Sequence, residues 1–124
     1  MNVTLADYFK RFNALKMVVD MTGLGNPIVE HLRELGIPVE GMILTDKVKT
    51  ELLFNVKILL EQGKLILPND LTLLAHLNCV EYERTRTGGY KFSHRKGTYD
   101  DLAFALALAL WGAKEAPAPV IVGL

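Results

Sequence analysis

The fold is decided at residues 15–27, which read LKMVVDMTGLGNP. The apolar, partly β-branched run that ends at Asp20 predicts a buried strand. The glycines that follow predict a loop. Asn26 and Pro27 predict the start of a helix, with Asn26 as the N-cap and Pro27 in the first helical position. A strand, a loop and a helix in succession are the unit from which α/β sheets are built.

Further elements are predicted on both sides of this stretch. Periodicity and capping residues predict helices at residues 5–13, 26–36, from Thr45 or Asp46 to Gln62, from Asn69 or Asp70 to about Leu77, and at 99–113. Alternation and turn residues predict strands at residues 15–20 and 39–44, a brief extended segment at 64–67, and a hairpin of 79–86 and 90–93. In the helix after Pro27, the stripe expected to be buried is Ile28, Leu32 and Leu35.

The stretch from Leu102 to Leu110 is ambiguous, because apolar residues and alanines alternate in it as they do in a strand. We favour a helix, since alanine is the best helix former and a poor strand former. Asp100 and Asp101 also suit the positive end of a helix dipole. A helix that is apolar on every side is expected to be buried.

Length and composition limit the classes of protein that fit. The 124 residues suit one domain, expected at 1–115, with an Ala/Pro linker and tail at 116–124. The order of elements predicts an α/β fold with a mixed sheet flanked by helices. Fourteen basic and fourteen acidic residues cancel, so a nucleic-acid site must be a local patch. The single cysteine, Cys79, excludes an internal disulfide and suits a reducing cytoplasm. The longest apolar run is too short to span a membrane.

Three carboxylates occupy suggestive places. Asp20 ends a predicted strand, and Asp100 and Asp101 begin a predicted apolar helix. Sites in α/β folds form at the carboxyl ends of strands, and clustered carboxylates are hard ligands suited to Mg²⁺ or Mn²⁺. The alternative is that Asp20 only begins a turn and that the other two only cap a helix.

A second candidate site is the predicted hairpin. Between residues 84 and 96 it carries cations and no acid, and Tyr90, Phe92 and His94 alternate with them. Cations bind phosphates and rings stack on bases, so this run predicts a nucleic-acid surface. An ordinary solvated hairpin whose rings face the core is the alternative. The predicted contacts are Arg84, Arg86, Lys91, His94, Arg95 and Lys96.

Four motifs follow one another in a fixed order: VVDMTGLG at residues 18–25, Lys49 on the third helix, GKLILP at 63–68 and DDLAFALALA at 100–109. This order resembles the nuclease domain of phage terminase large subunits, which has an RNase H-like (RuvC-type) fold. The resemblance covers residues 14–113. It implies a two-metal DNA endonuclease that cuts packaged viral DNA in the host cytoplasm. Asp20 would be the second acid of the family's site, and Asp100 or Asp101 the third.

The chain also departs from the family pattern. The family's first acid lies on an earlier strand, whereas only Asp7 precedes Asp20, within a predicted helix. Tyr99 stands where the family has a histidine. The resemblance therefore implies a partial RNase H-like fold that lacks one metal-binding acid. We expect double-stranded DNA as substrate, and a second copy or a second chain to supply the missing strands. A non-catalytic remnant or a small α/β interaction module is the alternative.

Overall fold

The protein is described here by a computed structural model covering residues 5–23, 25–94, 97 and 100–114, with only the backbone described at 25, 26, 90, 93 and 94. The helices are α1 (Leu5–Arg11), α2 (Gly25–Glu34), α3 (Asp46–Glu61), α4 (Leu71–Cys79) and α5 (Asp101–Ala113). The strands are β1 (Met17–Asp20), β2 (Val39–Met42), β3 (Val80–Arg84) and β4 (Tyr90–His94). The predicted tail at 116–124 lies outside the described residues.

The chain divides into two compact units. Unit 1 comprises Met1–Met42 and Gly112–Leu124, and unit 2 comprises Ile43–Trp111. Each unit contains one two-stranded sheet, β1–β2 in the first and β3–β4 in the second. The α/β class is confirmed, and within the described residues the parallel and antiparallel pairs form two small sheets.

In unit 1, β1 and β2 run parallel, with Met17 opposite Val39 and Asp20 opposite Met42. Helix α2 connects the two strands and packs on them. The helix begins at Gly25, so Pro27 is its third residue. The prediction that Pro27 is the first helical residue is therefore wrong by two positions. Proline is tolerated there because the first four N–H groups of a helix have no partner within the helix.

The buried face of α2 differs from the predicted stripe. Val29 and Leu32 are buried, whereas Ile28 and Leu35 are about half exposed. Val29 is therefore buried in place of Ile28, and Leu32 is the one member of the predicted stripe that is buried. Ile28 and Leu35 line an apolar cleft of about 390 Å³, together with residues of α1 that include Leu5.

Three helices end in the same way. After α2, Gly36 has φ +80°, its N–H bonds the carbonyl of Arg33, and the N–H of Ile37 bonds the carbonyl of Leu32. This is a Schellman motif, which needs a left-handed residue. The same pair of bonds follows α3 at Gly63, and follows α1 at Asn13. The predicted ends at these three residues are confirmed.

Unit 2 has its core between α3, α4 and α5. The buried side chains are Leu52, Val56, Cys79, Ala103, Ala107 and Leu108. The ambiguous stretch from Leu102 to Leu110 is helical, as predicted. Thr45 caps α3 by accepting from the N–H of Val48, and Asp70 caps α4 by accepting from the N–H of Leu73.

One predicted element is not a strand. Residues 64–67 have no regular structure, and Ile66 is 91% exposed. Strand-like sequence alone does not make a strand, because its backbone groups need a neighbouring strand to pair with. No helix in the described part of the chain has both the length and the apolar character needed to span a membrane.

Candidate metal and DNA site

Asp20 lies at the carboxyl end of β1, which is the edge of a parallel sheet where sites form. Its Oδ1 accepts a hydrogen bond of 2.9 Å from the N–H of Thr22, and the residue is exposed. The side chain of Asp20 therefore takes part in the turn that follows β1. The turn also orients the carboxylate, since one oxygen is held by the loop that follows the strand.

Asp100 and Asp101 lie at the start of α5. The carbonyl of Asp100 accepts from the N–H of Phe104 at 3.1 Å, which makes Asp100 the N-cap and Asp101 the first helical residue. Asp100 is half-buried and Asp101 is exposed. Among the described residues, the carboxylate of Asp100 accepts no hydrogen bond, so its side chain does not cap the helix within this set.

The start of α5 is held by a residue that the sequence reading did not assign to the site. Nδ1 of His76, on α4, accepts a 3.0 Å hydrogen bond from the N–H of Leu102. Nδ1 is thus the acceptor nitrogen of the ring, which leaves Nε2 as its donor position. From α3, the Lys49 ammonium lies 5.6 Å from the centre of the Phe104 ring. No sequence signal joins His76 to Leu102, which are 26 positions apart.

The donors at these two places suit a hard cation. Asp20 lies in unit 1, and Asp100 and Asp101 lie in unit 2. Exposed and half-buried carboxylates are the oxygen ligands that Mg²⁺ and Mn²⁺ prefer, so the chemistry of the donors fits such a metal. Across the described residues, no group of three or more His, Cys, Asp or Glu side chains forms a metal-binding cluster.

The hairpin has two different faces. Side chains alternate along a strand, and the register puts Tyr82 opposite Phe92 and Glu83 opposite Lys91. Tyr82 and Phe92 share one face, and their ring centres are 6.1 Å apart. Phe92 also meets Phe54 of α3 edge to face, with ring centres 6.5 Å apart. The ring of Phe92 therefore packs on α3, which is the alternative reading of the hairpin aromatics.

The cations of the hairpin are exposed near its tip. Arg84, Arg86 and Lys91 are all exposed. The loop between the strands runs from Thr85 to Gly89, where the N–H of Thr85 bonds the carbonyl of Gly89 at 2.9 Å. The first strand is thus shorter than predicted, whereas the second is one residue longer.

The basic run is not uniformly basic in space, because Glu83 of β3 stands directly opposite Lys91. Two members of the predicted DNA surface, Arg95 and Lys96, lie outside the described residues. His94 contributes its backbone to the pairing with Val80, and its side chain is not described.

Comparisons with known proteins give a consistent relationship. No protein-family model matches the chain. The terminase large subunits of Thermus phage G20c and Thermus virus P23-45 are each 32% identical to it over 114 residues, which is 86% of the chain. The match covers 24% of each of those proteins, so the chain spans about a quarter of their length.

Solved structures agree with this. The large terminase nuclease of phage G20c, crystallised with bound magnesium, superposes with a TM-score of 0.69 at 32% identity over 88% of the chain and 62% of the nuclease. A cobalt-bound structure of the same nuclease gives the same TM-score, and the nuclease domain of Thermus phage P74-26 gives 0.63 at 30% identity. The chain spans about three fifths of these domains. The protein is thus a homologue of the nuclease domain of phage terminase large subunits, and it shares part of their RNase H-like fold.

Proposed function

We propose that the chain contributes a DNA endonuclease domain of the phage terminase type, which hydrolyses phosphodiester bonds of viral DNA during packaging. The observation that carries this proposal is the 32% identity and TM-score of 0.69 with a terminase nuclease crystallised with magnesium. The expected setting is the cytoplasm of the infected cell.

Asp20 and either Asp100 or Asp101 are proposed as ligands of Mg²⁺ or Mn²⁺. When bound, a pair of such ions would activate a water molecule and stabilise the charge that develops on the phosphate oxygens. The contribution of the chain is to hold the carboxylates. The bond from Thr22 orients Asp20, and the first turn of α5 presents Asp100 and Asp101.

The resemblance expects a further metal-binding acid on a strand that precedes β1. Asp7 is the only acid before Asp20, and it lies in α1. We propose that a second copy or a second chain supplies this acid. Within the described residues β1 and β2 pair only with each other, so a sheet edge is available for added strands.

An apolar surface in unit 1 supports such an association. Side chains of α1, α2 and the following loops are 43% exposed or more: Leu5, Tyr8, Phe12, Leu15, Ile28 and Leu35. Exposed apolar patches of this kind mark interaction sites. Size-exclusion chromatography with light scattering is expected to give a mass above that of one chain, and a monomer at high concentration would contradict it.

DNA is proposed to contact the hairpin through Arg84, Arg86 and Lys91, and through His94, Arg95 and Lys96 beyond them. The support is the exposure of the first three side chains and the affinity of cations for phosphates.

The test is a supercoiled-plasmid nicking assay with Mn²⁺ that compares wild type, Asp20→Asn and Asp70→Asn. Asparagine keeps an Oδ1 acceptor, so the turn with Thr22 survives while the charge is lost. Asp70 is a matched control, because its Oδ1 likewise accepts a backbone N–H, that of Leu73 at 3.0 Å. Nicking is expected from wild type and from Asp70→Asn, with a loss of about 100-fold or more in Asp20→Asn, as for removal of a charged ligand worth several kcal/mol.

Nicking that survives in Asp20→Asn would overturn the role of Asp20. If wild type neither nicks DNA nor binds Mn²⁺, the chain is not a nuclease by itself. A salt-dependent affinity for DNA would then identify a non-catalytic remnant, and no affinity at all would identify an interaction module.

A further inference from the structure

The first turn of α5 is capped differently from those of α3 and α4. The N-cap residues of α3 and α4, Thr45 and Asp70, use their own side chains to accept a backbone N–H. In α5 the second helical N–H, that of Leu102, donates to a side chain from another helix, Nδ1 of His76. Such a donor has no partner within the helix, so an outside acceptor satisfies it.

We propose that His76 is a positioning residue for the metal site, which fixes the first turn of α5 and leaves the two carboxylates there available for a cation. The side-chain oxygen of an N-cap aspartate normally accepts a hydrogen bond from the N–H of the second or third helical residue. Because His76 takes the Leu102 N–H, Asp100 does not need to do so.

The contacts around this turn agree with the role. His76 is half-buried on α4, next to the buried Cys79, whose Sγ donates to the His76 carbonyl at 3.1 Å. Its ring is therefore carried by the same helix that contributes Cys79 to the buried residues of unit 2. Residues that orient metal ligands from outside are worth about 10- to 100-fold in metal affinity.

The test depends on the proposed function and uses two variants that differ by one methylene. In His76→Asn the amide oxygen takes the place of Nδ1 and can accept from Leu102. In His76→Gln the oxygen takes the place of Nε2 and is misplaced. Mn²⁺ affinity is measured by titration calorimetry, with hydrogen exchange at the Leu102 amide and nicking rate against Mn²⁺ concentration as further readouts.

We expect the Mn²⁺ dissociation constant to rise about tenfold or more in His76→Gln and to stay within about threefold of wild type in His76→Asn. Exchange at Leu102 should accelerate only in His76→Gln. Thr45→Ala is the control for stability alone, since it removes the cap of α3, a helix that does not carry His76, and should lower the melting temperature without changing Mn²⁺ affinity.

Equal Mn²⁺ affinity in the two His76 variants, or an equal loss in Thr45→Ala, would overturn the positioning role and leave the proposed nuclease function intact. A wild-type protein that binds no Mn²⁺ would overturn the proposed function, and the inference with it. The two failures are therefore distinguishable.

Discussion

The two places that carry the candidate ligands are held in different ways. At the end of β1, Asp20 is oriented by the N–H of Thr22, two residues further along the chain. At the start of α5, the backbone that presents Asp100 and Asp101 is held by His76, which is 26 positions from Leu102. One arrangement is local, and the other is a hydrogen bond between α4 and α5.

The difference bears on what a substitution can do. A local turn survives any change that keeps the side-chain acceptor, because its partner is fixed by chain connectivity. A turn held across two helices depends on both helices being in place. The α5 end is therefore expected to respond to substitutions outside its own sequence, whereas the Asp20 end should respond mainly to changes at Asp20 itself.

The largest expected effect separates the two acids of α5. Asp100→Asn and Asp101→Asn are compared in the Mn²⁺-dependent nicking assay. The variant that removes a metal ligand should lose about 100- to 1000-fold in rate, because a charged ligand contributes several kcal/mol to stabilisation of the transition state. Asparagine caps helices as well as aspartate, so neither variant should unfold. If the nicking rate falls by less than about threefold in both variants, Asp100 and Asp101 are excluded as metal ligands, and Asp20 is the only candidate ligand that remains.

A smaller effect is expected from the hairpin, which lies in the same unit as α5. The logarithm of the DNA association constant falls linearly with the logarithm of the salt concentration, and each phosphate contact adds about 0.9 to the steepness of this slope. Replacing Arg84, Arg86 and Lys91 with alanine should therefore make the salt slope shallower by about 2 to 3. The metal dependence should not change, because these side chains carry no ligand. The measurement is the DNA dissociation constant by fluorescence anisotropy at several salt concentrations.

The matched control replaces three exposed lysines outside the hairpin, Lys10, Lys47 and Lys64. It removes the same charge, so an equal fall in slope would mean that net charge, rather than the hairpin, governs binding.

The smallest effect concerns the far end of α5. A Cβ at Gly112 would come within 2.6 Å of Cγ2 of Val18 in β1, whereas one at Gly41 in β2 would meet the side chain of Met21. Valine is stiff and cannot move aside, but methionine is flexible. Gly112→Ala should therefore cost about 1 kcal/mol of unfolding free energy, since overpacking at about 1–3 kcal/mol exceeds the helix-propensity gain of about 1 kcal/mol.

Gly41→Ala should change stability by less than about 0.5 kcal/mol, because Met21 can adopt another rotamer. Both are measured by urea unfolding. A loss in Gly41→Ala that equals the loss in Gly112→Ala would contradict the argument from side-chain stiffness.

Much of the secondary structure could be predicted from sequence because its causes are local. Gly36 and Gly63 end helices since a Schellman motif needs a left-handed residue, which glycine adopts without cost. Alanine content decided that the alternating stretch in α5 is a helix. The errors arose where a distant partner decides. Residues 64–67 have strand-like sequence but pair with no strand in the part of the chain that the structure describes, and the buried face of α2 is set by the sheet beneath it.

The same distinction between local causes and distant partners applies to the candidate site. Asp20, Asp100 and Asp101 could be selected from sequence, because a strand end and a helix start are visible in the order of residue types. By itself the sequence also determined the family resemblance, since the motifs retain their order along the chain.

Packing alone decided which groups support these residues. Nothing in the sequence distinguishes His76 from other helical histidines, and only the structure shows that it accepts from Leu102 of α5. Likewise, the sequence allows Phe92 to stack on a base, and only the structure shows that its ring contacts Phe54 of α3. A hydrogen bond or ring contact between residues far apart in the chain depends on their distance in the folded structure, which cannot be deduced from the residue types alone.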